Sequence, residues 1–96
     1  MQSVSLETAK TLVSSNTVTQ AIIQCFDGRR WAIVLRGPHN DDYVLKSARQ
    51  SPRPFAKLET ALGEVQELGL QHAEVDFVKW HRDQGALATE TASTRA

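Results

Sequence analysis

The spacing of apolar positions along this chain changes repeatedly, and each change marks an element. From Ser5, a residue suited to cap a helix, Leu6, Ala9, Leu12 and Val13 recur at helical spacing and predict a short helix ending near Asn16. Two β-rich runs follow, VTQAIIQCF and RRWAIVLRG, joined by Asp27-Gly28. Asp-Gly between such runs predicts a two-residue type I′ hairpin, because that turn needs positive φ at both positions. The turn would set the register. Phe26 is expected opposite Arg29, Gln24 opposite Trp31, Ile22 opposite Ile33 and Gln20 opposite Leu35, all on one face. Thr19, Ala21, Ile23, Cys25, Arg30, Ala32, Val34 and Arg36 would take the other.

The segment GPHND reads as a second turn, with Gly37 and Pro38 breaking the strand and Asn40 and Asp41 favouring turn geometry. DDYVLKSAR follows as a third strand and QSPRP closes it, since each proline lacks the donor that a central strand requires. From Lys57 to Leu68 the stripe Leu58, Ala61, Leu62, Val65 and Leu68 predicts an amphipathic helix. Gly69 sits where a left-handed residue ends a helix, and Leu70 is placed to fold back on Val65. Gly63 inside the helix costs roughly 1 kcal/mol relative to alanine, and close packing on a strand would explain it. HAEVDFVKW then alternates Ala73, Val75 and Phe77 against Glu74 and Asp76, a fourth, half-buried strand.

The predicted order is α-β-β-β-α-β, a single small α+β domain over residues 1–81. A three-stranded antiparallel meander leads through the helix to a fourth strand, which a right-handed crossover places parallel to its neighbour. The expected sheet order is third, second, first, fourth. The small, polar run RDQGALATETASTRA, residues 82–96, reads as a disordered tail.

Composition narrows the classes. A 96-residue chain with 41% hydrophobic and 23% charged residues has the balance of one globular domain. No apolar run approaches the roughly 20 residues of a membrane helix, and MQSVSLETAK lacks the features of a signal peptide. The single cysteine, Cys25, leaves no internal disulfide. A cytoplasmic protein with no membrane contact is the expectation. The net charge of zero argues against a general nucleic-acid binder, yet it conceals a division. Between Asp27 and Lys57 seven bases stand against three acids, whereas between Leu58 and Asp76 there are five acids and no base.

Catalytic chemistry finds little support. His39, His72 and His81 do not have metal-site spacing, and His39 with Asp41 and Asp42 lies in a turn where aspartates serve geometry. Cys25 falls among small side chains, which suits an inert buried thiol. No loop cradles a phosphate. No catalytic residue, cofactor or metal is expected, and the chain reads as a non-enzyme.

The hairpin is more informative, because both of its faces are apolar at their centres and an antiparallel sheet with one wet face should alternate. The face with smaller side chains suits the main helix. The face with Phe26, Trp31, Ile33 and Leu35 then meets the N-terminal helix, a second copy or a partner, and those four are the candidate partner or dimer surface. A DNA-binding sheet is the alternative, with Arg29, Arg30, Arg36, Lys46, Arg49 and Arg53 as candidate phosphate contacts. The aromatic signature of RNA-binding sheets is absent, and the acids of the helix and last strand would repel a nucleic acid crossing them.

A short N-terminal helix, the hairpin ending in RRWAIVLRG, and then RPFAKLETALGEVQELGL and AEVDF resemble the small partition-associated proteins of the ParC type. These are carried by plasmids and integrative elements of proteobacteria. The likeness runs from about Leu6 to Phe77, and its distinctive positions are Phe55, Leu58, Ala61, Leu68–Gly69 and Glu74-Val75-Asp76. The chain departs from that pattern at Lys57, where a capping Ser or Thr is expected. The resemblance implies an accessory role in replicon maintenance or segregation, through protein or DNA contacts, and supplies no catalytic residue. The partners expected are a second copy of the chain and a protein of the segregation machinery.

Overall fold

A computed structural model describes residues 1–81, and the expected tail, 82–96, lies outside the described residues. The elements are β1 (Gln2–Val4), α1 (Leu6–Ser14), β2 (Gln20–Cys25), β3 (Trp31–Arg36), β4 (Asp42–Leu45), α2 (Leu58–Leu68) and β5 (Glu74–Asp76). They build one mixed sheet in the order β1-β4-β3-β2-β5, an α+β fold. β2, β3 and β4 form the expected meander, and β5 joins β2 in parallel. The sheet carries one more strand than the sequence suggests, since β1 adds in parallel to the outer edge of β4.

The helix ends follow from local chemistry. Ser5 caps α1, its Oγ accepting from the Thr8 backbone N–H at 3.2 Å. Gly69 ends α2 with φ +102°, its N–H donating to Gln66 O at 3.0 Å while Leu70 N–H donates to Val65 O at 3.3 Å. This is the closed C-terminal motif that a left-handed glycine permits. Asn16, with φ 61°, ends α1 the same way, through Asn16 N–H to Val13 O and Thr17 N–H to Leu12 O.

The hairpin departs from expectation, with consequences for every side chain in it. Phe26 N–H donates to Arg30 O at 3.1 Å, so the loop holds three residues, Asp27, Gly28 and Arg29. Only Gly28 there has positive φ, at +93°. The Asp27 carboxylate instead accepts from the backbone N–H groups of Arg29 at 3.2 Å and Arg30 at 2.8 Å. An aspartate bonded to the backbone ahead of it stays out of the left-handed region, and a type I′ turn cannot form. The added residue shifts the register by one. Cys25 pairs with Trp31, Ile23 with Ile33 and Ala21 with Leu35, while Ile22 pairs with Val34 and Gln24 with Ala32.

A one-residue shift moves one strand's side chains to the opposite face relative to its neighbour. Trp31, Ile33 and Leu35 therefore join Ala21, Ile23 and Cys25 on one side. There they form the core with Val4, Ala9, Leu45, Phe55, Ala61, Val65 and Leu68. Both helices cover this side. That follows from handedness: β1-α1-β2 and β4-α2-β5 run between parallel strands in the same direction along the sheet, so right-handed crossovers put both helices on one face.

Three further details differ from the sequence reading. Leu62, assigned to the buried stripe of α2, is 44% exposed at its margin. β5 is a short edge strand, and Val75 and Phe77 are exposed instead of half-buried. A Cβ on Gly63 would meet nothing within 4 Å, so close packing does not account for that glycine. Where β4 stops, Phe55 takes its place beside β3, exchanging two backbone hydrogen bonds of 2.8 Å with Trp31.

Candidate functional site

The side of the sheet turned away from the helices is the most distinctive surface. It carries Ile22, Ala32 and Val34 in the centre, all buried, and no helix packs on it among the described residues. Around that apolar centre the strands place polar groups. Gln20 donates to Glu74 at 3.1 Å and Gln24 to Asp76 at 3.3 Å, two side-chain ties between β2 and β5. Across the sheet Arg36 on β3 donates through Nε and Nη2 to Asp42 on β4, at 2.8 and 3.2 Å.

These groups enclose a trough of about 710 Å³. Ile22 and Val34 line its apolar part, Arg36, Asp42, Glu74 and Asp76 supply its charges, and Met1, Phe77 and Val78 stand at its margins. Phe77 is 61% and Val78 83% exposed, large apolar side chains left in water at the lip. The hydrogen bond from Arg36 holds the Asp42 carboxyl below the usual carboxylate range, and Asp42 raises Arg36 in return. In the hairpin the Arg30 backbone N–H is the main cause of a lowered Asp27 pKa.

The partner surface expected from the sequence is largely elsewhere. Trp31 is 5% exposed and Ile33 and Leu35 are fully buried, so these three are core residues beneath the helices. The cause is the longer hairpin loop, which turns the Trp31 side of β3 inward. Phe26 alone of the four remains half-exposed, at the hairpin end.

The six basic candidates do not form one patch. Arg36 stands at the end of β3 remote from the hairpin loop, tied to Asp42. Arg53 is bonded to Glu64 on α2 at 2.9 Å and lies over the Phe55 ring. Arg30 pairs with Asp27. Arg30 and Arg49 do meet, with Phe26, at a cleft of about 330 Å³ walled by Pro52 and Pro54. Arg29 and Lys46 are exposed. Half of the six thus have a carboxylate neighbour that competes with phosphate.

Asp42, the acid set beside His39 in the sequence, is engaged by Arg36, and no cluster of three potential metal ligands occurs among the described residues. Cys25 is a free, fully buried thiol. No helix of the described residues is long and apolar enough to cross a membrane.

Sequence reasoning did not find the trough. Its carboxylates were visible as an alternating pair, Glu74 and Asp76, but their place beside Ile22 depends on β5 pairing with β2. Known proteins provide no match to the chain, whether as family models, curated proteins or solved structures.

Proposed function

We propose that this protein is a non-enzymatic binding module that works in the cytoplasm through protein–protein contacts made on the side of its sheet turned away from α1 and α2. The observation that carries the reading is the pair of large apolar side chains left exposed at the lip of the trough, Phe77 and Val78, beside its charged groups. Exposed apolar surface rimmed by polar groups is the usual mark of a protein interface. The resemblance to ParC-type proteins supplies the setting, an accessory role in the maintenance or segregation of a plasmid or integrative element. Self-association belongs to the same proposal, and it would use this side, because Trp31, Ile33 and Leu35 are core.

A photo-crosslinking residue in place of Val34 tests the reading in cells that naturally carry the gene. A discrete protein adduct at Val34, absent when the same residue replaces Gln66 on α2, is the expected result. An adduct of twice the chain's mass would identify the dimer. No adduct at Val34, or equal adducts at both positions, overturns the reading.

DNA binding by the sheet is the second reading, favoured by the meeting of Arg30, Arg49 and Phe26 at one cleft. An aromatic ring in a cleft lined by two arginines suits a nucleic acid. Retardation of duplex DNA at low salt, lost in an Arg30→Ala, Arg49→Ala double variant, would support it; no retardation discards it.

A further inference from the structure

From the geometry we infer that the free edge of β5 is a docking strand for an extended cationic segment of another protein, one with basic residues at alternate positions. The inference rests on the proposed protein-binding role of the side turned away from α1 and α2, and names the chemistry of its partner.

Among the described residues β5 ends the sheet, so one row of its backbone N–H and C=O groups faces outward without a neighbouring strand. Such an edge accepts an extended peptide by main-chain hydrogen bonds, with specificity coming from alternate side chains. Glu74 and Asp76 are two residues apart and therefore point to the same side, about 7 Å from one another. Both point to the trough, where three carboxylates face two cations, the α-ammonium of Met1 and the Arg36 guanidinium, which is held by Asp42 through two bonds. Gln20 and Gln24 orient the two β5 carboxylates but bring no charge. The edge thus presents an excess of fixed negative charge at the repeat of a β-strand.

A strand added to this edge places its own alternate side chains opposite Glu74 and Asp76. Lysines or arginines there are long enough to reach over the carboxylates while their stems cover the Ile22 side of the trough. An apolar residue between them falls beside Val75, which is exposed on the other side of the edge.

The same arithmetic disfavours a second copy on this edge. Antiparallel pairing of two β5 strands about Val75 sets Glu74 opposite Asp76 twice, and like charges directly opposite are destabilising. The other edge of the sheet among the described residues, β1, offers Gln2, Ser3 and Val4, whose side chains bring no base.

The test uses the full chain and three labelled nine-residue peptides. One alternates lysine with valine, one alternates glutamate with valine, and one has the lysines of the first in a single block. Fluorescence anisotropy gives affinity and amide chemical shifts give the place. The alternating lysine peptide should bind, more weakly as salt rises, and perturb the amides of residues 74–76 first. A Glu74→Gln, Asp76→Asn variant keeps the bonds to Gln20 and Gln24 within reach and should bind it about tenfold more weakly. The Glu59→Gln variant, on the remote face of α2, should bind as the parent does. Equal binding of the blocked or acidic peptide, perturbation centred elsewhere, or no binding at millimolar peptide overturns the inference. Those failures together with a Val34 adduct would leave the protein-binding side intact and remove only its cationic partner.

Discussion

Lys57 begins α2 with extended backbone and no side-chain cap, so the first N–H groups of that helix have no acceptor from the position best placed to provide one. Inside the same helix Gly63 faces open space. Gly63→Ala should therefore stabilise the protein by about 0.5–1 kcal/mol, since alanine loses less backbone entropy and meets no neighbour. Gly69→Ala should cost about 1–2 kcal/mol, because Gly69 has φ +102°. Urea denaturation monitored by tryptophan fluorescence separates the two glycines. The aspartates permit a prediction with a definite sign. Arg36 lowers the pKa of Asp42, and the Arg30 backbone N–H lowers that of Asp27. A carboxyl with a depressed folded pKa contributes stability above its unfolded value, near 4, and loses it as pH falls through the folded one. Stability should thus decline below about pH 4 in the parent, and Asp42→Asn should flatten part of that decline while lowering stability at neutral pH. Denaturation midpoints across pH 2–7 provide the check, and an unchanged acid slope in Asp42→Asn would contradict the assigned pair.

Among the elements, the hairpin decides most. Its loop of Asp27, Gly28 and Arg29 turns Ile33 to the core and Val34 to the trough. Adjacent positions on one strand should then respond differently. Ile33→Ala should cost about 2–5 kcal/mol, the usual range for deleting a buried aliphatic side chain. Val34→Thr exchanges a methyl for a hydroxyl beside Arg36 and the trough, and should cost clearly less than a polar group at position 33. Ile33→Thr is the matched comparison, and equal losses for the two threonine variants would argue for the two-residue turn. Gly28 leaves little choice in this loop, because its φ of +93° is a conformation that residues with a Cβ rarely adopt, and a Cβ there would also crowd the His81 ring. His81 N–H in turn donates to Gly28 O at 2.8 Å, which ties the chain after β5 to the hairpin tip. Trp80 lies 6.5 Å from Trp31 between ring centroids in the same region.

At the scale of the molecule, protection should follow the sheet from its centre outward. β2 and β3 are interior strands carrying fully buried Ile23, Ile33 and Leu35, whereas β1 and β5 are three-residue edges. Amide exchange should be slowest for Ile23 and Ile33 and should approach unprotected rates for Gln2–Val4 and Glu74–Asp76, because local opening there exposes little apolar surface. Slow exchange across β5 in the isolated protein would mean that its edge is already paired, contrary to the docking inference.

Period and punctuation along the chain determined much of this fold. Ser5, the Leu58–Leu68 stripe, Gly69 and the Gly37–Asp41 turn act within a few residues of themselves, so α1, α2, the meander and the α+β class were legible in the sequence. So was the order of β4, β3, β2 and β5, which follows from one turn pair and one right-handed crossover. What the sequence could not determine lay where two local options differ by a single residue or where distant segments meet. Asp27 could enter a type I′ turn or bond the backbone ahead of it, and that choice transferred Trp31, Ile33 and Leu35 from a supposed surface to the core. β1 has one buried side chain, Val4, and becomes a strand only because the edge of β4 is there to receive it. The trough exists only because β5 sets Glu74 and Asp76 beside Ile22 and Gln24, which are about 50 residues away in the chain. Local propensity specified the pieces; strand pairing, which reverses faces with each one-residue step, decided which surface was left for a partner.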